Sequence, residues 1–313
     1  MLRPTNLLAI AVLLSSSTTY AVISLDGSSG WSAITYSSPA QSDFIGDQGT
    51  GQGAADIVGS ANGSAPFYAG FYKAYDDKGT ESLLDDEIAF RVRLSEFGGT
   101  TYQGTPGYAK YLIVGIDIGG EGALDLFVAA NSQNIRYYAT GDDLNISPST
   151  TSVSELSAYA QTVGGQNTLS SSIFTYLPVS ATTDSTTPLD TDLGNDGLDY
   201  FASFKLSMST VILAAEDSYL ESNPGGTPPT LDLMTAMTFL VATSTQPNAY
   251  NQDLGGYDNQ GGAVSKQDTT TWVELGAASD PYTADGTSPV PEPATYALLL
   301  GLAVLGCVKL RRR

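Results

Sequence analysis

DDEIAFRVRLSEF, from Asp85 to Phe97, is the stretch on which the fold turns. Ile88, Phe90, Val92 and Leu94 alternate with Ala89, Arg91, Arg93 and Ser95. Successive side chains of a strand point to opposite faces, so this period of two predicts a strand with one apolar face and its arginines on the wet face. The same signal recurs outward from it. YAKYLIVGIDI (Tyr108 to Ile118) reads as a more buried strand, followed by ALDLFVAANS, IRYYAT, IFTYLPV, LDYFASFKLSM, AMTFLVATST and TTWVELG. STVILAAEDSYLES has a helical pattern, with Ser209 as its cap, Val211, Ile212, Ala215 and Tyr219 on one side, and Asn223-Pro224-Gly225-Gly226 as its stop. ELSAYAQTV is a second short helical candidate. Short strands, frequent turn residues and one or two short helices predict a mainly β chain, an antiparallel β-sandwich or jelly-roll-like fold. No fixed short period marks a β-helix.

The composition excludes several chemistries. The chain has 313 residues and no histidine, which removes Ser-His-Asp and Cys-His nucleophilic systems and His-ligated zinc. Carboxylate chemistry survives, such as paired-acid glycoside hydrolysis. Five of the 13 Lys+Arg and one of the 33 Asp+Glu lie in the two ends. The remainder carries 8 against 32, a formal charge of −24. Such a surface repels nucleic acid and attracts divalent cations. The single cysteine, Cys307, sits in the C-terminal apolar run, so the middle of the chain has no disulfide.

Both ends bear on location. Arg3 is followed by LLAIAVLL (Leu7 to Leu14), which is too short to span a bilayer, and then by Thr19-Tyr20-Ala21 with small residues at the −3 and −1 positions. This predicts a signal peptide over 1–21. At the other end, Pro291-Glu292-Pro293 precedes an apolar run over 294–310, and Lys309, Arg311, Arg312 and Arg313 close the chain. About 17 residues at roughly 1.5 Å each make a helix just long enough to cross the membrane, with the cationic end in the cytoplasm. An exported β-rich domain over 22–287 and a tail over 288–313 follow from this reading.

The tail resembles the PEP-CTERM sorting signal of Gram-negative bacteria, in which a Pro-Glu-Pro triplet, a hydrophobic helix and an arginine cluster occur in that order. The resemblance implies recognition at Pro291, Glu292 and Pro293 by an exosortase, a membrane protease-transpeptidase. It also implies topology set by Lys309, Arg311, Arg312 and Arg313, a transient stay in the inner membrane, and a setting of exopolysaccharide and biofilm. The alternative is an ordinary C-terminal anchor behind a proline-rich linker. FRVRL, GIDIGGEGALDLFVA and VATSTQPNAYNQDLGG are similar to segments of uncharacterised secreted bacterial proteins, a likeness that supplies no function.

Two acidic loops are the candidate metal sites. Asp117, Glu121 and Asp125 occupy alternate-position register around Gly122, the pattern by which oxygen ligands approach calcium, although Gly119 removes one carboxylate. Asp190, Asp192, Asp196 and Asp199 surround Gly194 and Gly197 in a second loop whose last acid arrives one residue early. The two loops share Leu-Asp, an aromatic and a strand, through duplication or through convergence of hairpins on similar turns. The bland reading is that both are acidic turns. The acid cluster YDDKGTESLLDDE reads as a solvated loop. Tyr68, Tyr72, Tyr75, Tyr137, Tyr138 and Trp272 are candidates for stacking on sugars, or for sheet packing. The expected function is a non-enzymatic surface or extracellular-matrix structural protein. A carbohydrate-binding module for exopolysaccharide and a carboxylate-based glycoside hydrolase are the alternatives.

Overall fold

The computed structural model describes residues 22–27, 29–36, 42–43, 46, 48–49, 53–60, 70–80, 82–98, 100–140, 153–181, 197–232, 235–248, 251–255 and 278–283. The predicted strand around Trp272, the segment 1–21 and the span 294–310 lie outside these residues. Among the described residues no helix is long and apolar enough to cross a membrane.

Two antiparallel sheets carry the fold. The first runs in the order β1 (Ser32–Ala33), β4 (Phe71–Asp76), β5 (Glu87–Leu94), β13 (Tyr200–Ser207) and β12 (Phe174–Pro178). The strand predicted from Asp85 to Phe97 is thus β5, at the centre of this sheet, paired along its whole length with β13 from Glu87↔Ser207 to Leu94↔Tyr200. The second sheet runs β11 (Gln161–Thr162), β10 (Asn134–Ala139), β9 (Leu126–Ala130), β8 (Tyr111–Ile118), β14 (Ala236–Ser244) and β15 (Asp253–Leu254), and β16 (Tyr282–Thr283) also pairs with β14. Two small hairpins, β2–β3 (Ser42–Asp43 and Gly59–Ser60) and β6–β7 (Thr100–Tyr102 and Thr105–Gly107), complete the set.

The sheets face each other over one core. Phe90 and Val92 of β5 and Phe204 of β13 meet Val114 and Ile116 of β8 and Phe239 and Val241 of β14. Phe90 and Phe239 form an edge-to-face pair across the layers, with ring centroids 5.2 Å apart. Burying side chains of this size contributes about 1.5–3 kcal/mol each, so the alternation along β5 is energetically decisive.

The arginine face of β5 is dry, which corrects the wet-face expectation. Arg91 and Arg93 are among the largest fully buried side chains. Ile23, Leu25 and Trp31 from the N-terminal strap pack on Tyr72, Ala89, Val179 and Phe201, forming a second apolar layer outside the sheet. Arg91 lies with its guanidinium carbon 4.0 Å from the Trp31 ring centroid and 5.1 Å from that of Phe201. Its Nε donates to Ser203 Oγ at 2.9 Å and its Nη2 to the Leu25 carbonyl at 2.7 Å. A desolvated charge needs such partners, because burial disfavours the ionised form. The outer face of the second sheet is covered too, with Ile113, Phe127, Tyr138 and Leu240 packed by Tyr111, Leu124 and Val153. Both faces of each central strand are therefore buried, and polar residues there are paired instead of solvated.

Helix α1 (Met208–Ser222) begins two residues before the expected Ser209 cap, at Ser207, because Met208 N–H donates to the Asp86 carbonyl at 3.0 Å. Met208, Val211, Ala214 and Ala215 are its buried side, and it ends at Asn223 with Gly225 at φ +81°. ELSAYAQTV forms one 3-10 turn, Ser157–Tyr159, and then β11. The two ends of the described domain are joined. Thr35 Oγ1 donates to Asp280 Oδ2 at 2.7 Å, Asp280 N–H donates to the Thr35 carbonyl at 2.7 Å, and Thr35 N–H donates to Tyr282 Oη at 2.8 Å.

Candidate metal site in the β8–β9 loop

The loop between β8 and β9 brings Asp117, Glu121 and Asp125 together. One carboxylate oxygen from each lies within 4.8 Å of the others, the only group of three or more metal-ligating side chains so placed among the described residues. Asp117 is the penultimate residue of β8, at 2% exposure. Its Oδ1 accepts from Gly120 N–H at 3.0 Å, and its Oδ2 accepts from Gly122 N–H at 2.8 Å and Thr238 Oγ1 at 3.1 Å. Thr238 is placed there by register, directly opposite Asp117 on β14. Asp125 Oδ2 accepts from Ile118 N–H at 2.6 Å, which closes the loop, and the Asp125 carbonyl accepts from Ser218 Oγ of α1 at 2.6 Å.

Gly119, which departs from the expected ligand pattern, has a structural reason. It sits at φ +107°, and a Cβ there would lie 2.5 Å from Glu121 Oε2. The positive φ favours glycine here, and a side chain would also push the flexible Glu121 carboxylate out of its present position. Glu121 itself is exposed at the rim.

The electrostatics favour a positive guest. Burial pushes the Asp125 carboxyl up to about 7, with Glu121 and Asp117 adding repulsion. Asp117 is raised by burial against the pull of its N–H and hydroxyl donors, and Glu121 by burial and then by Asp117. Three carboxylates at this spacing hold protons or a cation at lower cost than three bare charges. Asp125 also lines a cleft against α1, with Ile118, Ile212, Ala215 and Leu231 as apolar walls and Glu216 as a second acid. Thr238, Ser218 and Glu216 come from strands and helices remote in sequence, and no local pattern marks them.

The other expected residues fall elsewhere. Asp190, Asp192 and Asp196 lie outside the described residues. Asp199 is buried, and its Oδ2 accepts from Arg93 Nε at 2.5 Å in an ion pair with no side-chain exposure on either partner. The Tyr75-to-Glu87 cluster is a paired turn more than a solvated loop. Lys78 bridges Asp76 at 2.6 Å and Glu87, Lys205 reaches Glu87 at 2.8 Å, and buried Asp86 accepts from Tyr75 Oη. Tyr72, Tyr137 and Tyr138 are buried and form no sugar platform. Tyr75 packs against the core, while Tyr68 and Trp272 lie outside the described residues.

Pro291, Glu292, Pro293, Lys309, Arg311, Arg312 and Arg313 also lie outside the described residues, and there the comparison with known families is informative. Residues 289–313 match the PEP-CTERM protein-sorting motif. No curated protein and no solved structure matches the chain, so the likeness of its mature region to other proteins is not shown. The chain therefore carries the tail of an exosortase substrate behind a β-rich domain. That tail implies export and transient membrane anchoring before display at the surface or outside the cell.

Proposed function

We propose that the chain is a non-enzymatic cell-surface or extracellular-matrix structural protein whose exported domain takes calcium at Asp117, Glu121 and Asp125. The match at 289–313 supports the destination. The convergence of three carboxylate oxygens in one hairpin loop is the observation that carries the calcium reading. The role assigned to the ion is mechanical: it neutralises the loop and fixes the β8–β9 hairpin against β14 and α1 in a domain with no disulfide. A ligand that binds only the folded form stabilises it by about 2.7 kcal/mol at one hundred times its dissociation constant. The melting point should therefore rise by a few degrees in millimolar calcium and less in sodium at matched ionic strength. Asp117→Asn with Asp125→Asn should remove the difference. Equal shifts in the two salts would reduce the loop to an acidic turn.

A carboxylate-based glycoside hydrolase is the weaker second reading: Asp125 and Glu216 line one cleft and the Asp125 carboxyl is raised toward neutrality, but the cleft holds only about 10 Å³, the room of a single water. Release of sugar from exopolysaccharide, lost in Asp125→Asn, would favour it over the structural role.

A further inference from the structure

A second cleft, remote from the acidic loop, lies between the β6–β7 hairpin and β12. It holds about 140 Å³ and opens on one side, room for one small ring-sized ligand and no more. Thr105, Pro106, Thr168 and Ser171 form its rim, Ser132 lies deeper, and the main chain of β12 around Tyr176 makes one wall. No charged side chain lines it among the described residues. The lining is neutral in a domain of formal charge −24, which disfavours an anionic ligand there.

The wall is an open sheet edge. Val179 N–H donates to the Asp199 carbonyl and Lys205 N–H to the Ile173 carbonyl, so the odd-numbered residues of β12 bond to β13. In an antiparallel ladder the even-numbered residues then direct their main-chain groups the other way. Phe174 N–H is used by the Ser170 carbonyl at 3.0 Å, and Pro178 has no N–H. Tyr176 alone offers a donor, beside outward carbonyls. One donor is too few for an incoming peptide strand to form a ladder, which argues against strand addition. The available set is one N–H, several carbonyls and the hydroxyls of Thr105, Thr168 and Ser171, none of which bonds within the described residues. This neutral mixture of donors and acceptors suits a ligand that is itself a neutral mixture of donors and acceptors.

We propose that this cleft binds a neutral saccharide unit. Its wall is preorganised. Tyr176 stacks on Tyr200 with centroids 5.0 Å apart, its hydroxyl accepts from Gly98 N–H at 2.9 Å and donates to the Glu96 carbonyl at 3.0 Å, and this holds the β12 edge in place without ligand. The proposal deepens the matrix reading, on which only the natural source of the sugar rests. The site itself rests on the cleft.

Binding is measured by saturation-transfer NMR with the full exported domain. The probes are neutral hexose oligosaccharides of different linkage, an acidic polysaccharide, and the extracellular polysaccharide of the source cell. The expected result is binding of at least one neutral glycan, with none to the acidic one. Thr105→Trp and Ser171→Trp fill the exposed rim and should weaken that binding at least about tenfold with unchanged melting. Glu221→Gln, at the exposed end of α1, should leave it unchanged. Silence toward every neutral glycan and toward the cell's own polysaccharide overturns the proposal. So does binding that survives both tryptophan variants. Binding to a neutral glycan foreign to the cell, without binding to its own polysaccharide, keeps the site and removes the matrix source.

Discussion

Arg93 and Asp199 meet with no side-chain exposure on either partner, 106 residues apart in sequence. The pair ties the centre of the first sheet to the segment that enters β13. Breaking a buried pair from one side leaves a charge in a dry site, which costs about 3–5 kcal/mol. Asp199→Ala should therefore lower the unfolding free energy obtained from urea denaturation by that amount. Arg93→Met with Asp199→Leu should recover most of the loss, because apolar residues of similar volume need no partner. A single variant as stable as the wild type would show that the pair contributes nothing net.

Trp31 covers Arg91 from the strap side. Trp31→Ala removes the aromatic face over a desolvated guanidinium and opens the second apolar layer, so a loss of about 3–5 kcal/mol is expected. Hydrogen exchange should show the amides of β4 and β5 exchanging faster, with those of β8 and β14 less affected. Uniform acceleration across both sheets would place Trp31 in the common core instead.

The acidic loop has a pH signature with a definite sign. The folded Asp125 carboxyl titrates at about 7, whereas an unfolded aspartate titrates near ~3.9. Between these values the folded chain holds a proton that the unfolded chain has released. The stability from this group is complete below the lower value and is lost as pH rises through the upper one. Without calcium, Asp125→Asn should gain stability relative to wild type as pH goes from 5 to 8. Other carboxylates, such as Asp76 and Glu87, are lowered by their lysines and slope the other way, so the difference between variant and wild type is the quantity to plot. Protons and calcium compete for one site, so the calcium-induced melting rise should be larger at pH 8 than at pH 5.5. A difference plot flat across this range would remove Asp125 from the titration.

Gly119 offers a test of the loop that leaves every carboxylate in place. Gly119→Ala meets both the positive φ and the Glu121 carboxylate. It should cost about 1 kcal/mol or more of stability and weaken the calcium response measured by melting. A variant with undiminished calcium response would show that Glu121 does not need the space Gly119 leaves.

For the tail, intact mass of the extracellular form should end between Ser288 and Pro293, without the apolar run. A mature form that still ends in Arg313 would mean a plain anchor. Neutralising Lys309, Arg311, Arg312 and Arg313 should weaken retention of the C-terminus in the cytoplasm in a protease-protection assay.

What was legible in the sequence was local. Ile88, Phe90, Val92 and Leu94 announce β5 because their alternation is short-range, and β8, β13 and β14 were readable for the same reason. The triad of Asp117, Glu121 and Asp125 was readable because one hairpin loop supplies all three. The environment of the arginines is not legible, because alternation separates two faces without saying what covers each. The cover for Arg91 is a Gly- and Ser-rich segment with only a few apolar residues, Ile23, Leu25 and Trp31, brought over the sheet by tertiary packing. Asp199 looked like one more loop acid because its partner Arg93 is remote in sequence. The β12 edge shows itself only once pairing with β13 fixes which main-chain groups point outward.

The bonds among Thr35, Asp280 and Tyr282 set a path for tension. A protein tethered through its processed C-terminus would be pulled at Thr283, where β16 holds β14 by two residue pairs only. Alone, so short a strand would peel away. Linked to Thr35, it hands the load to the strap, and through Trp31 and Leu25 to Arg91 in the middle of the opposite sheet. A pull on one end of the chain is thereby shared by the other end, and both sheets bear it together.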